Sequence, residues 1–159
     1  LGFGMRVLYS ARHPLPSPLE QELRAQQVPL DTLLQQSDYV TLHVPLREET
    51  RHLIGVEQLC RMKRTAFLIN TSRGPIVDEA ALAAAIEEGL LAGAGLDVFE
   101  HEPKVHPGLL ELPNVVLLPH VGSAVTSVRA LMCALAARDC GAVLRGERPA
   151  HPVNAEALR

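Results

Sequence analysis

Nowhere in the sequence do apolar residues run unbroken for the roughly 18 positions that a membrane-spanning helix requires. No membrane partner is expected. Positive charge is equally short: 15 Lys and Arg stand against 18 Asp and Glu, a net charge of −3, which gives no footing to nucleic acid or anionic lipid as a partner. Cysteine is sparse too. The three residues Cys60, Cys133 and Cys140 are odd in number and lack the close spacing of metal ligands, so no metal site and no disulfide framework is expected. Reduced thiols in a cytoplasmic protein are the simplest reading. Cys133 and Cys140 lie seven apart on an expected helix and are expected to share a core face. Repeats, low-complexity linkers and a signal-peptide pattern are also missing.

What is present is a chain of globular composition, 159 residues long, 47% apolar and 21% charged. A single domain of that length buries roughly 70% of the surface its unfolded chain exposes. Short apolar runs alternate with amphipathic ones. Strands are expected at "MRVLY" (5–9), "DYVTLHV" (38–44), "TAFLIN" (65–70), "GAGLDVF" (93–99) and "NVVLLPH" (114–120). Helices are expected at 18–27, 30–37, 55–62, 77–91 and 123–147, the fourth with Asp78 and Glu79 in its first turn. This β-α alternation implies an α/β fold with a mostly parallel sheet covered by helices on both faces.

In an open parallel sheet, ligands bind beyond the carboxyl ends of the strands. Along that edge stand Ser10 and Arg12 after the first strand, His43 with Val44 and Pro45 after the second, and Asn70 to Gly74 after the third. Asp97, Glu100 and Glu102 follow the fourth strand and His120 the fifth. Taken singly, each is better explained as a solvated surface residue; their joint placement points to a site. Histidine exchanges protons near neutral pH, and a neighbouring carboxylate fixes its tautomer. An arginine fork grips a carboxylate bidentately and polarises an adjacent carbonyl. Arg73, Glu102 and His120 together therefore suit proton transfer at the oxygen of a 2-oxo or 2-hydroxy acid.

The runs "LINTSRGPIVDEAAL", "LAGAGLDVFEHEP" and "LPNVVLLPHVGSA", in that order, resemble the D-isomer-specific 2-hydroxyacid dehydrogenases. "SDYVTLHVPLREETRHLI", "GFGMRVLYSAR" and the terminal "PVNAEAL" extend the resemblance over nearly the whole chain, nearest to the glyoxylate and hydroxypyruvate reductases. The resemblance implies that Arg73 binds the substrate carboxylate and carbonyl, that Glu102 orients and charges the imidazole, and that His120 is the acid and base. Glu100 is left as a surface residue. It further implies that Thr71, Ser72, Asp97 and Gly122 lie by the cofactor and that His43, Val44 and Pro45 line its groove. Residues 1–148 would be part of a dinucleotide-binding domain and 149–159 a tail returning to a substrate domain, in a protein that forms a homodimer at full length. His101 and His106 are expected to be solvated loop residues, and His13, His52 and His151 receive no role.

Cofactor preference has a physical argument. A NAD-binding Rossmann domain places an acid at the end of its second strand for the ribose 2'-hydroxyl, whereas arginine favours a 2'-phosphate. Here Ala11 stands at that position between Ser10 and Arg12, so NADP(H) is the expected cofactor, with NAD(H) possible. The family's G-x-G-x-x-G run, which lets helix-start amides approach the pyrophosphate, does not occur in the 159 residues. The expected fold is thus a Rossmann-type doubly wound sheet lacking its first strand and glycine-rich loop. That strand is expected to be the shared neighbour of "MRVLY" and "AFLIN", and an upstream segment is expected to precede Leu1. By this reading the chain alone binds dinucleotide poorly and turns over little substrate. An inactive fragment, or a dinucleotide-sensing binding module related to the C-terminal-binding corepressors, is the alternative.

Overall fold

Parallel strand pairing, with a helix between most successive strands, organises everything up to His120 in the computed structural model, which describes residues 2–157. Leu1 of the opening stretch and Leu158 and Arg159 of the expected tail lie outside the described residues. The chain divides into two compact units, one up to His120 and one from Val121.

In the first unit, β1 (Val7–Tyr9) pairs in parallel with β2 (Ala25–Gln27), Val7 opposite Ala25 and Tyr9 opposite Gln27. Between them runs α1 (Ser17–Leu23), opened by prolines that cost its first turn no hydrogen bond. The helix expected over 18–27 is therefore shorter than its polar pattern suggests. Arg24 turns left-handed at φ 51°, its N–H closing the helix on Gln21, and residues 25–27 leave to pair with β1. The Tyr9 hydroxyl donates to Glu20 at 2.5 Å and accepts from the Leu15 amide at 2.8 Å, which ties the loop after β1 to the helix.

The second sheet has the order β3 (Tyr39–Leu42), β4 (Phe67–Asn70), β5 (Gly93–Leu96), β6 (Val115–Leu117), all parallel. Its helices are α2 (Leu30–Gln36), α3 (Val56–Arg61), α4 (Glu79–Glu87) and the single turn α5 (Pro107–Leu110). "AFLIN" is paired on both sides, Leu68 opposite Val40 and Ala94, so it does not share a lost neighbour with "MRVLY". The edge strand on that side is β3, because the chain crosses back from β3 to β4 through α3 and lays β4 inside it. Alternation along β3 puts Val40 and Leu42 into the core and leaves Tyr39 and Thr41 exposed. Tyr39 covers part of its own exposed face by stacking on Phe67, ring centroids 5.7 Å apart. Leu34, Leu59, Leu68, Ile76, Leu82 and Leu109 join them in one continuous apolar cluster.

Asp78 caps α4, its carboxylate accepting the Ala81 amide at 2.9 Å. Asp78→Ala is expected to cost about 1 kcal/mol of stability, read as an earlier urea transition.

In the second unit, α6 (Thr126–Leu144) buries only Ala142. The tail returns to it: the Asp139 carboxylate accepts the amides of Ala150 and His151 at 3.2 Å and meets His151 Nδ1 at 2.9 Å. Cys133 and Cys140 are exposed, contrary to the shared core face expected for them. Seven-residue spacing aligns them on the helix, but among the described residues both positions face outward. Among the described residues no helix is long and apolar enough to cross a membrane.

Candidate active site

The loop after β4 is built around a buried amide. Asn70, 1% exposed, donates through Nδ2 to the Arg73 carbonyl at 3.0 Å and accepts the Ser72 amide at 3.1 Å, folding "NTSR" back on the strand end. Ser72 then donates its hydroxyl to the Val44 carbonyl at 2.5 Å, joining this loop to the one after β3. On its other side Gly74 lies directly on the chain after β5: a Cβ there would stand 1.9 Å from the Phe99 carbonyl carbon and oxygen. Three strand ends are thereby brought together. Arg73, exposed, rides on this loop with Nη1 donating to the Ser72 carbonyl at 2.6 Å.

Glu102 is held from two directions. Oε1 accepts the Phe99 amide at 3.1 Å, and Oε2 meets His120 Nδ1 at 2.9 Å. The hydrogen bond from His120 lowers the Glu102 carboxyl below its ordinary 4.5, aided by the Phe99 amide and the positive charges of His120 and Arg73 against a partial burial that opposes them. A carboxylate only accepts, so Nδ1 carries the imidazole proton and Nε2 is left to exchange one. His120 itself takes a left-handed backbone at φ 54°, uncommon for a residue with a Cβ, just past the end of β6. Glu102 and His120 border a cavity of about 270 Å³ whose other walls include Phe99, Leu117 and Leu118.

The other expected positions up to Asp97 lie in the first unit, after β1, β3, β4 and β5. Asp97 is 5% exposed, and its amide continues the β4–β5 pairing by donating to the Asn70 carbonyl at 3.0 Å. His43 is exposed with Nε2 3.0 Å from the Thr41 hydroxyl; Val44 is half-buried, and the Pro45 carbonyl accepts from Thr50 at 2.8 Å. Thr71 is exposed beside half-buried Ser72. Ser10 and Arg12 are exposed after β1, with Arg12 reaching Glu49 at 3.8 Å. Gly122 belongs to the second unit and is exposed.

One residue is placed otherwise than expected. Glu100 is not a surface residue: its side chain is 14% exposed, and it meets His52 Nε2 at 2.6 Å and accepts the Glu79 amide at 3.3 Å. His52, which had no role in the sequence reading, thus ties the loop before α3 to the chain beside Glu102. Among the described residues no group of three or more His, Cys, Asp or Glu side chains is arranged to hold a metal ion.

The family profile for "D-isomer specific 2-hydroxyacid dehydrogenase, NAD binding domain" matches residues 1–122. The chain belongs to that family. It is 54% identical to a glyoxylate reductase of Korarchaeum cryptofilum over 162 residues, covering 99% of this chain and 48% of that protein. It is 49% identical to glyoxylate/hydroxypyruvate reductase B of Klebsiella pneumoniae, covering 96% and 47% of the two. The crystal structure of a NADPH-dependent glyoxylate/hydroxypyruvate reductase from Sinorhizobium meliloti, in complex with NADP and malonate, superposes with a TM-score of 0.88 at 36% identity over 97% of this chain and 47% of that one. The chain spans about half the length of the curated relatives it matches.

Ser10 and Arg12, both exposed after β1, and the Asn70-anchored loop with Asp97 present hydroxyl, cationic and amide groups of the kind a nicotinamide dinucleotide would need. For its pyrophosphate the sequence supplies no G-x-G-x-x-G loop.

Proposed function

We propose that this chain supplies the proton-transfer and carboxylate-binding groups of an NAD(P)H-dependent reduction of a small 2-oxo acid such as glyoxylate or hydroxypyruvate. The observation that carries the reading is the Glu102–His120 pair at 2.9 Å, with the charge of Arg73 acting on the same carboxylate, at the carboxyl edge of a parallel sheet. A nicotinamide dinucleotide, when bound, would supply the hydride for the carbonyl carbon. Arg73 grips the substrate carboxylate and draws charge towards the carbonyl oxygen. His120, protonated and oriented by Glu102, delivers the proton to that oxygen and takes it back in the reverse direction. The loop joined by Ser72 and Val44 holds Arg73 in place while the substrate binds.

The test is a chimaera in which residues 1–159 replace the matching segment of the Korarchaeum cryptofilum enzyme, assayed for glyoxylate and hydroxypyruvate reduction. Turnover that is lost on Arg73→Gln supports the proposal. A folded chimaera that binds NADPH and turns over neither acid overturns it.

NADP(H) is the preferred dinucleotide in this reading, because Arg12 is a cation just past β1 and Ala11 stands where a NAD-preferring domain carries an acid; the NADP complex of the Sinorhizobium meliloti relative supports the same choice. A charge-assisted hydrogen bond contributes about 1.5–3 kcal/mol, so Arg12→Ala is expected to weaken NADPH binding roughly 10- to 100-fold and leave NADH almost unchanged. Fluorescence titration of the chimaera with each dinucleotide checks this.

A further inference from the structure

We propose that Glu79 is a positioning residue for His120, acting through the segment that carries Glu102; the inference rests on the catalytic pair assigned above. Glu79 opens α4 and is 4% exposed, yet it leaves the capping of that helix to Asp78. Its carboxylate instead grips both ends of the neighbouring loop. Oε1 accepts the Glu100 amide at 2.6 Å and Oε2 accepts the His106 amide at 3.2 Å. The grip is reciprocal, since the Glu79 amide donates to Glu100 Oε2 at 3.3 Å while Glu100 Oε1 meets His52 at 2.6 Å.

Burying a carboxylate is costly unless its oxygens are paired, and here each oxygen takes one amide. Those two amides bracket Glu102. The Phe99 amide, one residue before the Glu100 amide that Glu79 holds, is the donor that fixes Glu102 Oε1. A displacement of the loop at residue 100 therefore moves the anchor of Glu102, and with it the oxygen that selects the Nδ1–H tautomer of His120. An isosteric amide at position 79 keeps one acceptor but turns an NH2 towards the second backbone N–H, which releases one end of the segment.

The readout is the tautomer of neutral His120, followed in this chain by long-range 1H–15N correlation at alkaline pH, its signal identified by loss in His120→Gln. In the native chain Nδ1–H is expected to predominate. Glu79→Gln is expected to restore the ordinary preference of free imidazole for Nε2–H, whereas Asp78→Ala, which weakens the same helix without touching the loop, leaves Nδ1–H in place. If Glu79→Gln does not fold, Glu79→Asp, one methylene too short to reach both amides, carries the same test. In the chimaera, kcat is expected to fall on the order of 10- to 100-fold with KM for NADPH unchanged. A folded Glu79 variant with an unchanged His120 tautomer overturns the inference, and so does the same shift in Asp78→Ala. Because the tautomer is read without turnover, an inactive chimaera in which Glu79→Gln still shifts it would sink the proposed reaction and leave the positioning role standing.

Discussion

Gly74→Ala is expected to cost more than about 4 kcal/mol, a large part of the stability of a domain whose total is about 5–15 kcal/mol. The added Cβ would stand 1.9 Å from the Phe99 carbonyl carbon and oxygen and 2.4 Å from the Glu100 amide nitrogen. All three are backbone atoms, so no side chain can rotate away. Relief requires the loop after β4 to separate from the chain after β5, and that loop is anchored by Asn70, by Ser72 on Val44 and by the donation of the His52 amide to Pro75 at 2.8 Å. Gly55→Ala is the matched control, because its Cβ would meet nothing nearer than 3.7 Å. Urea titration of the two variants should show the Gly55→Ala transition close to that of the parent and Gly74→Ala without a cooperative transition. A native-like transition for Gly74→Ala would show that the approach of the two loops is not needed for folding.

The same close approach explains what was legible in the sequence and what was not. Strand ends are local: β-α alternation with a rule about carboxyl edges picks out the residues that follow each strand, Arg73, Glu100, Glu102 and His120 among them, and only the family resemblance separates Glu102 from Glu100. The hydrogen bond between Glu102 and His120 joins residues 18 apart. The roles of Glu79 and Glu100 were hidden because their bonds cross 21 residues and depend on the path of one loop, which no periodicity encodes. A glutamate in a first turn reads as a helix-dipole partner, and the alternative of a buried carboxylate on another segment's amides leaves no mark in the pattern. Gly74 precedes a proline in the sequence, and nothing there marks the space its missing Cβ leaves for the Phe99 carbonyl. At α1 the error has a local cause, since Arg24 enters the left-handed region without the glycine that would have announced a helix stop. Strand order was misjudged for "AFLIN" because apolar runs record burial and not which neighbour lies on each side.

The largest kinetic effect is expected at His120. In the chimaera, His120→Gln should lower kcat for glyoxylate reduction by roughly 10²- to 10⁴-fold, the range general acid–base catalysis supplies, with the affinity for NADPH unchanged. Glutamine keeps the bulk and a donor towards Glu102 but cannot give a proton to a carbonyl oxygen. The pH dependence of the pair follows from Glu102, whose carboxyl is held below 4.5 first by the His120 hydrogen bond and then by the Phe99 amide and the nearby cations. Its depressed value means that the pair's contribution is complete above the unfolded carboxyl's titration and is lost only as the pH falls through the lower, folded value. Activity between that ordinary carboxyl value and neutrality is therefore not limited by protonation of Glu102. Glu102→Gln removes the charge at every pH, so its kcat deficit should persist unchanged from weakly acid to neutral solution instead of closing as the pH is lowered. A deficit that vanished in weak acid would mean that Glu102 titrates in the ordinary range and is not held by His120, while a His120→Gln chimaera as fast as its parent would take the acid role from this residue.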